Sequence, residues 1–246
     1  MTLLNTKKVH EKYHNKTSVQ YKSIDDKNFT YRHILAAVNK YLTPGMKVLD
    51  IGCGAGTVDF YYAKKGYQVT GIDISNKAIE SCQKTAINLG LRNLKFEVLN
   101  FPNEIPMGNY DFIIFSEVIE HLEDDTLALK KIHRLLKRGG ILFLTTPSQK
   151  APLHLLGMTN KFDKEVGHLR RYEVNVLSRL VEENGFGVVE IQKKEGIIRN
   201  FLFINPYAGK FVKFVKFFFS DLVTIIDNIS LKIFGESNFF IVARKV

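Results

Sequence analysis

The stretch Val48-Leu49-Asp50-Ile51-Gly52-Cys53-Gly54-Ala55-Gly56-Thr57 joins a short apolar run to glycines at every second position. A second run, Gln68-Val69-Thr70-Gly71-Ile72-Asp73, also ends on an acid. The first reads as a buried strand that enters a glycine turn and a helix start. The second reads as a neighbouring strand whose terminal carboxylate can accept from both hydroxyls of a ribose. Glycines let the backbone approach a ligand closely and take up angles that a Cβ forbids. The pair therefore points to a nucleoside-binding crevice at the carboxyl ends of parallel strands. The dinucleotide fingerprint G-x-G-x-x-G needs glycine at position 57, where Thr57 stands. Asp50, ahead of the first glycine, disfavours a pyrophosphate at the helix start and suits a cationic ligand.

A chain of 246 residues with 45% hydrophobic content can bury a full core as one domain. Its first thirty residues carry no apolar h-region, which argues against a secretory signal. Only Cys53 and Cys82 are present, too few for a disulfide framework, and a cytoplasmic location is expected. The formal charge of +10 favours anionic partners, either nucleic acid or an anionic membrane surface.

Outward from the glycine turn, apolar runs alternate with helical periodicity. Residues 1–27 lack periodicity and read as an N-terminal arm or lid; 28–246 read as a single domain. Asn28 or Thr30 can cap a helix through Leu42. Strands are expected at Lys47–Ile51, Gln68–Asp73, Leu94–Leu99, Tyr110–Phe115, Ile141–Thr145, Val188–Lys193 and Phe239–Arg244. Helices fall between them at Val58–Lys65, Asn76–Leu89, from Asp124 or Asp125 to Leu136, and Val174–Asn184. Gly139-Gly140 is expected to terminate the third of these. The alternation predicts an α/β fold, a doubly wound, mostly parallel seven-stranded sheet with helices on both faces.

With strands and helices in this order, the chain resembles the class I S-adenosylmethionine-dependent methyltransferases over about residues 28–193 plus the last strand. D-x-G-x-G-x-G at Asp50–Gly56 matches their first motif. Within that family the chain is similar to the ubiquinone-biosynthesis O-methyltransferase-like subgroup. Three further features carry this: Arg32 twenty residues ahead of Gly52, Asp73 at the end of the second strand, and Ser116-Glu117-Val118-Ile119-Glu120-His121-Leu122, which resembles the family's E-x-x-E-H segment. The resemblance implies S-adenosylmethionine as cofactor. Arg32 would grip its carboxylate, Asp50, Gly52, Gly54 and Gly56 would form the turn beneath it, and Asp73 with Ile74 would hold the ribose. Asn100 and Phe101 would meet the adenine, although many members carry an acid where Asn100 stands. Ser116 would face the transferring methyl.

A phenolic acceptor with a pKa near ~10 must lose its proton by the transition state, so a base or a metal helps. His121, His168 and Glu117 are the candidates for catalysis. Glu117, Glu120 and His121 have i, i+3, i+4 spacing, which on a helix gathers them on one face. With His168, from Gly167-His168-Leu169-Arg170-Arg171-Tyr172, they make a candidate set for a divalent metal. A hydrogen-bonded Glu–His network is the preferred reading of the same residues.

The segment 199–236 reads as a helical, basic and aromatic insertion before the last strand. Seven of the nineteen phenylalanines lie in 201–219. Phe211, Phe214, Val215, Phe218, Leu222, Ile225, Ile226, Ile229 and Ile233 recur at helical spacing, with Lys210, Lys213 and Lys216 opposite. Charges interrupt the run, which argues against a transmembrane span. A helix at 210–233 resting on an anionic membrane, one packed on the sheet, and one in a homodimer interface all fit this pattern. No RNA-binding module is visible, so a small-molecule acceptor is expected, apolar or lipid-linked. Methylation of a sugar nucleotide or RNA, or a non-catalytic cofactor-binding scaffold, are the alternatives.

Overall fold

The computed structural model of the protein describes residue 11, residues 19–205 and residues 219–246. Seven strands form one sheet: β1 (Lys47–Ile51), β2 (Gln68–Asp73), β3 (Leu94–Val98), β4 (Tyr110–Ser116), β5 (Leu136–Pro147), β6 (Phe186–Lys194) and β7 (Asn238–Lys245). Their spatial order is β3-β2-β1-β4-β5-β7-β6, and β7 runs antiparallel to both its neighbours. The chain winds outward from β1 to β3, then crosses back to β4 beside β1. That reversal opens a crevice at the carboxyl ends of β1 and β4.

Strand residues alternate between two cores, as a sheet covered on both faces requires. Leu49, Ile51, Ile113, Phe115, Leu142 and Leu144 pack on one face, against α4 (Asp125–Leu135) and α7 (Val174–Glu183). Val48, Phe112, Ile114, Ile141 and Phe143 pack on the other, against α1 (Arg32–Val38) and α2 (Thr57–Lys64). α3 (Asn76–Asn88) covers β2 and β3, with Ile79, Cys82 and Ala86 against Phe60 and Phe96. Caps follow the sequence: Ser75 Oγ accepts from Ala78 N and Asp124 Oδ1 from Leu127 N.

Two boundaries differ from expectation by more than two residues. α1 stops at Val38 rather than Leu42. α4 ends at Leu135 and β5 begins at once at Leu136, so Gly139-Gly140 lie inside the strand rather than at a helix stop. There the register jumps from Tyr110↔Leu136 to Phe112↔Ile141, and the positive φ of 73° at Gly139 absorbs the irregularity.

Beyond β5 come two short helices, α5 (Pro152–Leu155) and α6 (Asn160–Val166). α8 (Ile197–Ile204) and α9 (Ser220–Phe234) pack against each other before β7. Leu222, Ile225, Ile226, Ile229 and Ile233 do share a face of α9, but that face is exposed. The buried side is polar: Thr224, Asp227 and Ser230. The reason is Asp227, whose two oxygens accept from Gly196 N and Arg199 N at the start of α8 (2.9 and 2.8 Å). An acid from one helix thus satisfies orphan N–H groups of another. Phe211, Phe214, Val215, Phe218 and the three lysines between 210 and 216 lie outside the described residues. Among the described residues, no helix is long and apolar enough to cross a membrane.

Candidate active site

The crevice is a cavity of about 880 Å³ that crosses the sheet edge from Asp73 and Asn100 on one side to Glu195 and Asn238 on the other. Its floor is the glycine turn. Gly52 N and Cys53 N both donate to Ile72 O (2.8 and 3.0 Å), which ties the turn to β2. Gly52 has φ 77°, and a Cβ there would come under 3.0 Å from Val118 Cγ2. Only glycine satisfies both conditions. Gly56, at φ 67°, caps α2 against Cys82 and lies behind the cavity wall rather than on it.

Asp73 Oδ2 accepts from Gly54 N (2.9 Å) and Oδ1 from Ser75 N (2.8 Å). Each oxygen keeps a free lone pair, enough for two vicinal hydroxyls. Ile74, Asn100 and Phe101 line the same end, and Asn100 N is held by Glu104 Oε2 at 2.8 Å. Gln20, from the described end of the N-terminal arm, closes over the turn by donating to Ala55 O (2.8 Å). No sequence signal singled out Gln20.

Arg171 is the one lysine or arginine among the described lining residues. Its guanidinium is already engaged by Asp163, at 3.0 and 2.7 Å. Among the described residues the cavity therefore offers no free lysine or arginine for a pyrophosphate and carries acids instead, which fits a cationic nucleoside. Arg32 does not line it. Its guanidinium turns to α9, onto Asp221 Oδ1 (2.7 Å) and Thr224 Oγ1 (3.1 Å), so the expected grip on a cofactor carboxylate is not made in this arrangement.

At the far side, the Glu117–His121 segment is not the single helical face that its spacing suggested. Glu117 has φ 57° and only Ile119–His121 form a 3₁₀ turn. Glu117 therefore diverges from Glu120. Its Oε1 accepts from Thr145 Oγ1 and Asn238 Nδ2, both at 2.8 Å. Thr145 spends its hydroxyl proton on Glu117, so Ser116 Oγ donates to Thr145 Oγ1 (2.8 Å). Glu120 instead turns inward, fully buried, and accepts from Thr146 Oγ1 at 3.0 Å. Burial, with the nearby charge of Glu117, pushes its carboxyl well above the usual range.

The loop carrying His168 is pinned to this turn by Leu169 N donating to Glu120 O (2.9 Å). His168 Nδ1 donates to Asp163 Oδ1 (2.9 Å), which assigns the ring's lone pair to Nε2. His121 Nδ1 donates to the carbonyl of Gly167 (3.1 Å). The two rings stand edge to face, 4.8 Å apart. Asp163 is half-buried, which opposes ionisation, yet hydrogen bonds from His168, Arg171 and Thr159 hold it well below the usual carboxylate range. Asp163, Thr145 and Asn238 were absent from the sequence reading because nothing marks them locally.

Glu120, His121 and His168 present ligand atoms within 4.8 Å of one another, and Glu120 Oε1 has no hydrogen-bond partner. One carboxylate and two imidazoles fit a divalent ion, more a zinc-like than a magnesium-like one. Glu117 is outside this group.

The methyltransferase-domain family profile matches residues 42–196. The chain belongs to the methyltransferase-domain family. Among curated relatives it is similar to a ubiquinone biosynthesis O-methyltransferase of Paracidovorax citrulli, 32% identical over 46% of this chain and 49% of the relative. The chain thus spans about half the length of the curated relatives it matches. Its fold is similar to a SAM-dependent methyltransferase of Methanosarcina mazei (22% identity, TM-score 0.60, covering 85% of this chain and 97% of that one). It is also similar to the magnesium protoporphyrin IX methyltransferase of Synechocystis with bound SAH (18% identity, TM-score 0.61, 88% and 82%).

Proposed function

We propose that the protein transfers the methyl group of S-adenosylmethionine to a hydroxyl of a small acceptor with an apolar or lipid-linked body. The observation that carries this is one cavity joining a ribose-type acid, Asp73, to the imidazole of His168, whose Nδ1 is held by Asp163. The names of the curated relatives support oxygen as the methylated atom.

When bound, the cofactor supplies an electrophilic methyl on a sulfonium that leaves as a neutral thioether. Asp73 accepts the ribose hydroxyls and Gly52 and Gly54 let the backbone approach. Ile74, Asn100 and Phe101 enclose the adenine. Rate comes mainly from alignment of acceptor and methyl, where ordering supplies ~7–11 kcal/mol. His168 takes the acceptor's hydroxyl proton at Nε2, and the anionic Asp163 orients the ring and stabilises the imidazolium. Glu117, fixed by Thr145 and Asn238, and His121 orient the hydroxyl. Glu120, buried and held by Thr146, belongs to the supporting network. If the cluster holds a divalent ion, Glu120, His121 and His168 are its ligands, and the ion would lower the hydroxyl pKa.

The exposed apolar face of α9 supports contact with an anionic lipid surface, since Leu222, Ile225, Ile226, Ile229 and Ile233 stand in solvent on a chain of net charge +10. α8, packed beside it, carries cavity residues Asn200, Phe203 and Ile204, so a lipid-borne acceptor would arrive at the mouth.

A methyl-label transfer assay across small phenols, isoprenoid phenols, sugar nucleotides and RNA tests the reading. Turnover on phenols, at least tenfold above the other classes, is expected. Transfer only to RNA or sugar nucleotides would overturn it. Activity that survives thorough chelation would remove the metal.

A further inference from the structure

Beneath the glycine turn lie two carboxyls that methyl transfer does not use directly. Asp50, near the end of β1, is 6% exposed and lines the cavity. Asp59, in the first turn of α2, is 1% exposed and lies behind it. Neither oxygen of Asp59 has a hydrogen-bond donor within reach. Asp50 stands opposite Gly71 in the β1–β2 register, and Asp59 Oδ1 packs over the same Gly71, which sets the two carboxyls beside each other. Two carboxylates bond only through a proton, and a buried carboxylate without a donor is too costly to leave bare. The fold makes room for this pair at Gly71, where a Cβ would come within 2.9 Å of Asp59 Oδ1.

The groups facing the pair strengthen the demand for a proton. Asp73 stands across from it on β2, Cys53 in the turn, Cys82 on α3 and Tyr62 on α2; none is a cation. Burial raises Asp50 to about 7, and burial together with the Asp50 charge raises Asp59 well above the usual carboxylate range. Near neutrality the pair is therefore losing the first of its two protons.

Its place in the sheet says what could draw that proton off. β1 lies between β2, which carries Asp73, and β4, which leads to Glu117. Strands are spaced by ~4.8 Å. A cofactor with its ribose on Asp73 and its methyl toward Glu117 must carry its sulfonium across the end of β1, beside Asp50. This step rests on the cofactor reading above.

We propose that Asp59 is a positioning residue for charge recognition: it shares protons with Asp50 in the empty cavity, and the pair releases one to solvent when a sulfonium cofactor enters. The thioether product lacks that positive charge, so the pair takes the proton back after methyl transfer. The exchange favours substrate over product as pH rises. A cation beside Asp50 favours its ionised form, so sulfonium binding strengthens as pH climbs through 7, by at most about tenfold per pH unit.

The test is isothermal titration calorimetry of the full chain with S-adenosylmethionine and S-adenosylhomocysteine at pH 7, in buffers of different ionisation enthalpy. Wild type should release about half a proton with the sulfonium ligand and clearly less with the thioether. In Asp59→Asn the amide donates permanently to Asp50, keeping it ionised, so the difference between the ligands should vanish. Equal release by both ligands in wild type, or an undiminished difference in D59N, would overturn the proposal. If D59N fails to fold, the wild-type affinity ratio between pH 6 and 7 decides: a ratio shifting several-fold toward the sulfonium supports it, and a constant ratio refutes it. Failure of both ligands to bind would instead defeat the cofactor reading, and with it the proposal.

Discussion

Replacing Gly52 by alanine should damage the cofactor turn through two separable effects. The first is conformational: alanine held at φ 77° costs ~1–2 kcal/mol. The second is steric, because the new Cβ meets Val118 Cγ2 at under 3.0 Å. Val118 is β-branched and stiff at χ1, so it yields poorly, and overpacking of this kind costs ~1–3 kcal/mol. G52A should therefore lose ~2–5 kcal/mol of stability in urea denaturation. In a Val118→Ala background only the conformational part should persist, which leaves a coupling of ~1–3 kcal/mol in a double-mutant cycle. Binding of S-adenosylhomocysteine should weaken in G52A and partly recover in the double variant, since the displaced turn pulls Gly54 N off Asp73. A G52A protein within ~0.5 kcal/mol of wild type, or a coupling near zero, would refute the claim that Val118 closes the space over Gly52.

Asp73→Ala should raise the cofactor Kd by about two to four orders of magnitude, because two charge-assisted hydrogen bonds of ~1.5–3 kcal/mol each are lost while the fold survives; calorimetry checks it. Glu195 is raised to about 7, mainly by burial, so its neutral form is favoured in the folded state. Its contribution is fully present below the unfolded value near ~4.3 and is lost as pH rises through about 7; the pH 5 to 8 stability loss of wild type should shrink in Glu195→Gln. On α9, Ile229→Ser should leave stability within ~0.5 kcal/mol, whereas Asp227→Ala should cost about 3 kcal/mol or more by freeing Gly196 N and Arg199 N. Ile225→Glu with Ile229→Glu should abolish flotation with anionic vesicles, and wild type that never floats would end the membrane reading.

The glycine turn and the strands beside it were legible because their signals are local. Apolar runs of strand length, glycines where the backbone bends back, and Asp73 at a strand end need no distant partner to be read. The Glu117–His121 segment was half legible. Glu117 and His121 do line the cavity, but helical spacing misjudged the directions, because a positive φ at Glu117 separates its side chain from Glu120. Asp163 and Asn238 were not legible. Each matters through a contact with a residue from another element, His168 or Glu117.

The insertion teaches the same distinction. Periodicity correctly placed Leu222, Ile225, Ile226, Ile229 and Ile233 on one face of a helix. It could not say that this face would stand in solvent while Asp227 went inside. By itself the sequence determined the order of elements, the mostly parallel sheet and the acid-flanked turn, since propensity, period and backbone freedom act over a few residues. Only the tertiary structure decided that Arg32 turns away to Asp221, that Asp59 lies beside Asp50, and that two imidazoles meet edge to face at the crevice. Those outcomes depend on burial and on hydrogen-bond partners far away in the chain, whose energies exist only once the sheet brings them together.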